Sequence, residues 1–161
     1  MSYLQLGPLT IPRRFVTMRS FFVLGNSLAA DHPLRPVLFD ALQKTDLLVP
    51  PPLATDDWLK LSLRNNHLLV QAATLLVWPE APRGRDCAEE LTDRYLAEMT
   101  GDGLFPAELC RGASCLWYSN MAAMLLTAIA KISARDGRAP FVKNQDLSRA
   151  IEGFGLALSW P

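Results

Sequence analysis

Residue types that carry chemistry are scarce in this chain of 161 residues. It contains two histidines, His32 and His67, and three cysteines that form no CxxC pair. Neither histidine has another histidine, a cysteine or a carboxylate at the spacing of metal ligands, so we expect no metal site. Ser114 does not lie in a GxSxG pattern, and no nucleotide-binding motif is present. The sequence therefore predicts a protein without catalytic residues or cofactors, and not an enzyme.

The chain also lacks an excess of charge of either sign, with 16 basic and 16 acidic residues. Non-specific affinity for nucleic acid comes from phosphate neutralisation by Lys and Arg, so this balance argues against nucleic acid as a partner. A zero balance also weakens repulsion between molecules, which favours binding to another protein chain or self-association. Four basic residues towards the C-terminus keep a nucleic-acid-associated small subunit as an alternative. They are Arg135, Arg138, Lys143 and Arg149.

Long hydrophobic runs are absent. The longest one, residues 116–130, contains Ser119 and Asn120. It is also shorter than the ~20 residues that a membrane-crossing helix needs. We therefore expect no membrane as a partner.

Two further features of the sequence indicate the cellular compartment of the protein. Three cysteines are an odd number, which predicts free thiols in a reducing environment. A basic segment before the apolar run 21–24 has some features of a targeting signal, but Gly25 and Asn26 end that run early. We expect a cytoplasmic protein whose first 30 residues form a helix, a strand or a vestigial targeting segment, with a helix favoured.

One apolar segment, residues 112–133, dominates the rest of the sequence. It has no Gly or Pro after Gly112 and is rich in Ala, Leu and Met, which are good helix formers. At about 100° per residue, its polar members Asn120, Thr127 and Lys131 fall on one narrow stripe. A helix with so little polar surface is enclosed by neighbours or half covered by another chain. The segment therefore predicts a fold built around this helix.

The remaining segments are amphipathic stretches separated by loops that contain Pro and Gly. Residues 1–12 are predicted to be extended or irregular, and Pro50 to Pro52 form a stiff connector. Helices are predicted from a cap at Asp31 to residue 44, and then over 55–78, 86–99 and from about 144 onward. The predicted fold is a single all-α domain over 1–161, an irregular bundle of five or six helices around the central apolar helix (about 112–133).

Several polar residues occupy positions that the helical pattern makes apolar. Asn65 and Asn66 fall in the apolar arc of the 55–78 helix, and Tyr118 and Asn120 interrupt the central helix. Because an unpaired buried amide costs about 1–3 kcal/mol, these groups need partners. They form either an internal hydrogen-bond network that fixes the register of the helices, or a site where Asn65, Tyr118 and Asn120 converge on a small pocket or on the backbone of a partner. His67 falls on the polar face of its helix and is predicted to face solvent.

Two tryptophans lie at the ends of predicted elements. Trp78 precedes Pro79, and Trp160 precedes the last residue of the sequence. Partly exposed aromatic residues at such edges anchor protein interfaces, although core filling is the simpler interpretation of each.

These features together favour a non-catalytic helical protein-interaction protein. A small accessory subunit, an adaptor or an immunity-type binder of a bacterial effector would fit the neutral charge, the apolar surplus and the missing motifs. The alternative is a small-molecule-binding or enzymatic helical protein that uses the pocket near Asn65, Tyr118 and Asn120.

Overall fold

The computed structural model describes residues 11–45, 65–135 and 142–158, and the regular structure in these ranges is entirely helical. The α-helices in chain order are α1 (Ile11–Ser27), α2 (Arg35–Gln43), α3 (His67–Val77), α4 (Gly84–Leu96), α5 (Pro106–Leu109), α6 (Cys115–Ser133) and α7 (Asn144–Leu158); a 3₁₀ turn, Gly112–Ser114, precedes α6. The predicted all-α fold is confirmed, and so is the helix favoured near residue 15. The triple proline and the predicted irregular segment 1–10 lie outside the described residues, whereas Ile11 and Pro12 belong to α1.

Helix α3 is the innermost element of the fold. Nine of its 11 residues are buried, and it packs against α1, α4 and α6. Leu, Val and Ala occur on every side of this helix, which is the pattern of a helix enclosed in a core. Its Thr74 hydroxyl lies within hydrogen-bonding distance of two carbonyl oxygens, that of Val70 at 2.7 Å and that of Met18 in α1 at 3.0 Å, and its one proton is shared between them. The polar side chain is thereby satisfied inside the core.

Helix α6 buries only one of its faces. Ala122, Leu126 and Ile129 are fully buried, while Trp117 is 56% and Met124 is 64% exposed. The expectation that residues 112–133 form the centre of the bundle is therefore corrected, because α3 takes that position and α6 covers one side of it. By length and composition alone, 112–133 is the one described segment that could cross a membrane; core helices of soluble proteins pass the same test.

A buried arginine joins the ends of α1 and α3. Arg35, 4% exposed, donates to the carbonyl oxygens of Gly25 at 3.1 Å and Val77 at 2.9 Å. It also forms two hydrogen bonds with the carboxylate of Glu80, at 3.1 and 3.2 Å. Arginine thus satisfies carbonyl groups that the two helix ends leave without partners.

Trp78 is fully buried, which confirms core filling, the simpler interpretation, and excludes a partly exposed interface anchor at the end of its helix. Its indole N–H donates to the carbonyl oxygen of Phe21 at 3.0 Å, and its ring stacks on Phe39 with centroids 6.2 Å apart. Gly25 makes this packing possible: a Cβ there would lie 2.7 Å from the indole nitrogen. The close approach of α1 encloses an aromatic ring that the sequence placed at an edge.

Helix α2 begins later than the sequence predicted. The expected cap was Asp31, but the first helical residue is Arg35, and Pro36 stands in the first turn. His32 supports the turn before the helix, since its Nδ1 accepts a hydrogen bond from the backbone N–H of Leu34 at 3.2 Å. This histidine therefore has a structural role near the helix start.

The loop after α4 presses directly against α7. Gly103 has φ +78°, and a Cβ on Gly153 would lie 2.3 Å from the carbonyl oxygen of Gly103. The Arg149 guanidinium fixes the loop by donating to the carbonyl oxygen of Thr100 at 2.8 Å. Glycine has a low helix propensity, but Gly153 in α7 permits a close contact between the helix backbone and the loop.

Gly153→Ala is therefore expected to lower the free energy of unfolding by about 1–3 kcal/mol, because the added methyl group meets fixed backbone. Gly155 is the matched control in the same helix, since a Cβ there would meet nothing within 4 Å. Gly155→Ala should raise stability by about 0.5–1 kcal/mol. Urea unfolding of both variants measures the difference, and equal effects would contradict the proposed loop contact.

Candidate functional site

A buried carboxylate, that of Glu108 in α5, organises the polar groups before α3. The backbone N–H of Asn66 donates to Oε1 at 2.7 Å, and the side-chain Nδ2 of Asn66 donates to Oε2 at 3.3 Å. The hydroxyl of Tyr95 also donates to Oε1, at 3.3 Å. All three partners are donors, which is the arrangement that suits an ionised carboxylate. Glu108 thereby fixes the residue before α3 to the short helix α5.

Burial raises the pKa of Glu108 above the ordinary glutamate value. The hydrogen bond from the Asn66 backbone, the positive charge of Arg111 and the Tyr95 hydroxyl oppose that rise. Burial also raises the pKa of Tyr95 well above its usual value, and the negative charge of Glu108 adds to the effect. Tyr95 therefore stays protonated and serves as a hydrogen-bond donor.

The two N–H donors of Asn66 are hydrogen-bonded to Glu108, whereas its side-chain acceptor is not hydrogen-bonded. Within the described ranges, its Oδ1 is the buried side-chain oxygen that has no hydrogen-bond partner. Such a group costs about 1–3 kcal/mol in a folded protein. Buried unsatisfied groups are rare in native structures and call for a reason, of which a functional site is one.

Asn65 fixes the turn that leads into α3. Its Oδ1 accepts a hydrogen bond from the backbone N–H of His67 at 2.9 Å. Asn65 is 4% and Asn66 0% exposed, so their predicted burial is confirmed. His67 is half-buried at the first position of α3. The prediction that it lies on a solvent-facing helix surface is wrong, because the helical frame here begins at His67 itself.

Arg111 connects α5 to the first turns of α6. Its guanidinium lies 4.7 Å from the ring centre of Tyr118, and its Nε donates to the carbonyl oxygen of Ala107 at 3.3 Å. Trp117 packs edge-on against the Tyr118 ring, with centroids 5.0 Å apart. Tyr118 is half-buried between these two neighbours. A cation and a phenol thus lie in direct contact next to α5.

Two sets of contacts gather these groups into one region. Glu108 connects α5 with the turn before α3, and Arg111 connects α5 with α6, which itself packs on α3. We call this region the polar cluster; it comprises Asn65, Asn66, His67, Glu108, Arg111 and Tyr118. An imidazole and a phenol can transfer protons, and a guanidinium can bind an anion. In the described part of the chain, no group of three or more His, Cys, Asp or Glu side chains could hold a metal ion.

The five predicted site residues are distributed unevenly. Asn65 and Tyr118 belong to the polar cluster. Asn120 is exposed and, at about 100° per residue, lies about 200° around α6 from Tyr118. Trp78 is in the core at the other end of α3. Trp160 lies outside the described residues.

Sequence reasoning missed three members of the polar cluster: His67, Glu108 and Arg111. The signal for His67 was its place directly after two asparagines that were predicted to be buried. Glu108 and Arg111 gave only a weak signal, one helical turn apart before the apolar helix α6. The importance of Glu108 depends on Asn66, 42 residues earlier in the chain.

The family model described as Alginate lyase matches residues 53–154 of the chain. This range includes every residue of the polar cluster. No curated protein and no solved structure gives a significant match.

Proposed function

The chain belongs to the alginate lyase family, and we propose from this membership that it cleaves a uronic acid polysaccharide by β-elimination. The family match overturns the sequence-based prediction of a non-catalytic interaction protein that is not an enzyme. An accessory subunit, an adaptor and an immunity-type binder are wrong for the same reason. The match agrees better with the alternative, an enzymatic helical protein.

The elimination makes three chemical demands on a site. A base removes the proton from C5 of a uronate unit, next to its carboxylate, and the negative charge that develops on that carboxylate must be stabilised. An acid supplies a proton to the glycosidic oxygen on C4 as the C4–O bond breaks. The electron pair of the C5–H bond forms the C4=C5 double bond, so no oxidant or reductant is required.

The polar cluster contains a group for each of these demands. The His67 imidazole and the Tyr118 phenol are the candidates for proton transfer, since both are half-buried and both groups can exchange a proton. Arg111, in contact with the Tyr118 ring, is the candidate for binding the substrate carboxylate. Asn65 and Asn66 hold the turn from which His67 projects. Each of these roles is assigned to a side chain of the protein itself.

Glu108 has a different role, because its side chain is fully buried. A carboxylate that is enclosed and accepts three hydrogen bonds from the protein is suited to positioning other groups rather than to contacting a sugar. We therefore assign it to holding Asn66 in place.

The purified chain should convert alginate into products with a new C=C bond conjugated to the carboxylate, which is followed as a rise in ultraviolet absorbance. Polymannuronate and polyguluronate tested separately would identify the preferred uronate. A neutral polysaccharide of similar length is the control, since it carries no carboxylate for Arg111. A folded protein that produces no absorbance change on any uronate polymer would contradict the proposal.

A further inference from the structure

A second polar region lies at the opposite end of α3 from the polar cluster. It is a cavity of about 670 Å³ between the ends of α1 and α3 and the start of α4. The two ends of α3 are about 15 Å apart at 1.5 Å per residue. Sites for small ligands have volumes of about 300–1,000 Å³, so this cavity has room for one.

Arginine dominates the charged lining of this cavity. Arg35, Arg83, Arg85 and Arg135 line it together with a single carboxylate, that of Asp86; we call it the arginine cavity. Arg35 is already bound to Glu80, and Arg85 donates to the carbonyl oxygen of Ser133 at 2.7 Å. Arg83 and Arg135 are exposed to solvent. The cavity therefore presents two exposed guanidinium groups beside two that are held by the protein.

The ion pair between Arg83 and Asp86 is long and exposed. Its nitrogen and oxygen atoms are 3.7 Å apart, and the two side chains are 79% and 66% exposed. Exposed pairs of this kind contribute about 0–1 kcal/mol, so an incoming anion could compete with Asp86 for Arg83.

The backbone at Arg83 is held in an uncommon conformation. Its φ of 56° and ψ of 21° are left-handed, and among the described residues it is the non-glycine residue with positive φ. An arginine in this conformation costs about 1–2 kcal/mol that a glycine would avoid. A charged side chain at the cavity wall is therefore maintained at the expense of stability.

We propose that the arginine cavity is a second binding site, for a carboxylated sugar segment of the substrate chain that is not being cleaved. Guanidinium groups bind carboxylates through paired hydrogen bonds, which matches a ligand that carries one carboxylate on each sugar unit. The identity of the sugar rests on the proposed function, whereas the preference for a carboxylate rests on the arginines. Binding here keeps a long polymer attached while another segment occupies the polar cluster.

The test uses the double variant Arg83→Gly with Arg135→Gln. Glycine suits the left-handed backbone at position 83, so the melting temperature should stay the same or rise. On alginate the double variant should show a KM raised about tenfold, as expected for the loss of charge-assisted hydrogen bonds, with kcat unchanged. On a short oligouronate that fills only the polar cluster, both constants should stay as in the unmodified protein.

Arg94→Gln is the matched control, because Arg94 is a surface arginine in the last turn of α4 and pairs with Glu90. An equal rise in KM for this control, or an unchanged KM for the double variant, would overturn the second site. Calorimetry with an oligouronate that contains no C=C bond separates the two proposals. If this ligand binds, its binding depends on Arg83 and Arg135, and the protein has no lyase activity, the cavity site is supported and the proposed function is overturned. Cleavage without such binding has the opposite meaning.

Discussion

Tyr118→Phe is expected to lower the turnover of alginate by about 10²–10⁴-fold, the range typical for loss of a general acid or base. The substitution removes one hydroxyl and keeps the aromatic ring. The ring contacts with Arg111 and Trp117 should persist, so the fold and the position of the guanidinium are retained. Initial rates at saturating substrate, with circular dichroism to verify the fold, measure the effect.

Trp117→Phe is the control for this prediction. Trp117 is the preceding residue of the same helix and is 56% exposed, so the change alters the packing around Tyr118 without removing a proton-transfer group. Its rate should stay within a few-fold of the unmodified protein. A Tyr118→Phe variant with full activity would exclude the phenol from proton transfer and leave His67 as the remaining candidate.

The sequence predicted helices better than it predicted their places in the fold. Residues 112–133 and 67–77 are both apolar, and the longer segment was predicted to be the central helix. Helical periodicity describes the residues along one element and contains no information about which other elements pack against it. Which helix is enclosed depends on how much of its surface the neighbours cover. Nine of the 11 residues of α3 are buried, whereas α6 also packs against three helices but leaves Trp117 and Met124 exposed. The single Gly25, which allows α1 to approach Trp78, decides part of that packing and has no signature in helical periodicity.

The candidate site could be predicted only in part, for a related reason. Asn65 and Tyr118 were detectable because a polar residue at an apolar position requires a partner. Their partners were not detectable: Glu108 lies in the four-residue helix α5, too short for a periodic pattern, and its bonds to Asn66 depend on tertiary structure. Assigning His67 to a polar face assumed a helix that continued regularly through the turn at Asn65 and Asn66.

Removal of the buried carboxylate is expected to have the largest effect on stability. Glu108→Ala leaves the two donors of Asn66 and the hydroxyl of Tyr95 without their acceptor inside the protein. Each buried unsatisfied group costs about 1–3 kcal/mol, so the free energy of unfolding should fall by about 3 kcal/mol or more. Chemical denaturation measures the loss. A fall below about 1 kcal/mol, the value of an ordinary hydrogen bond, would contradict the role assigned to Glu108.

Glu108→Gln separates charge from shape at the same position. The glutamine keeps an oxygen for the Asn66 backbone but presents an NH₂ group to Nδ2 of Asn66, which is also a donor. The Asn66 amide should therefore rotate so that Oδ1, previously without a partner, accepts from the glutamine. Stability should fall less than in Glu108→Ala, whereas activity should fall by more than the loss of folded protein explains, because the Asn66 amide beside His67 has been reoriented.

The pH dependence of stability gives an independent test of the same carboxylate. Because burial raises the folded-state pKa of Glu108 above the unfolded value near 4.5, its favourable contribution is complete below that value and declines as the pH rises through the folded-state pKa. Glutamine does not titrate, so the stability advantage of the unmodified protein over Glu108→Gln should shrink from acidic to neutral pH. An advantage that grows over this interval would mean that the three donors outweigh burial and that the pKa of Glu108 is lowered instead.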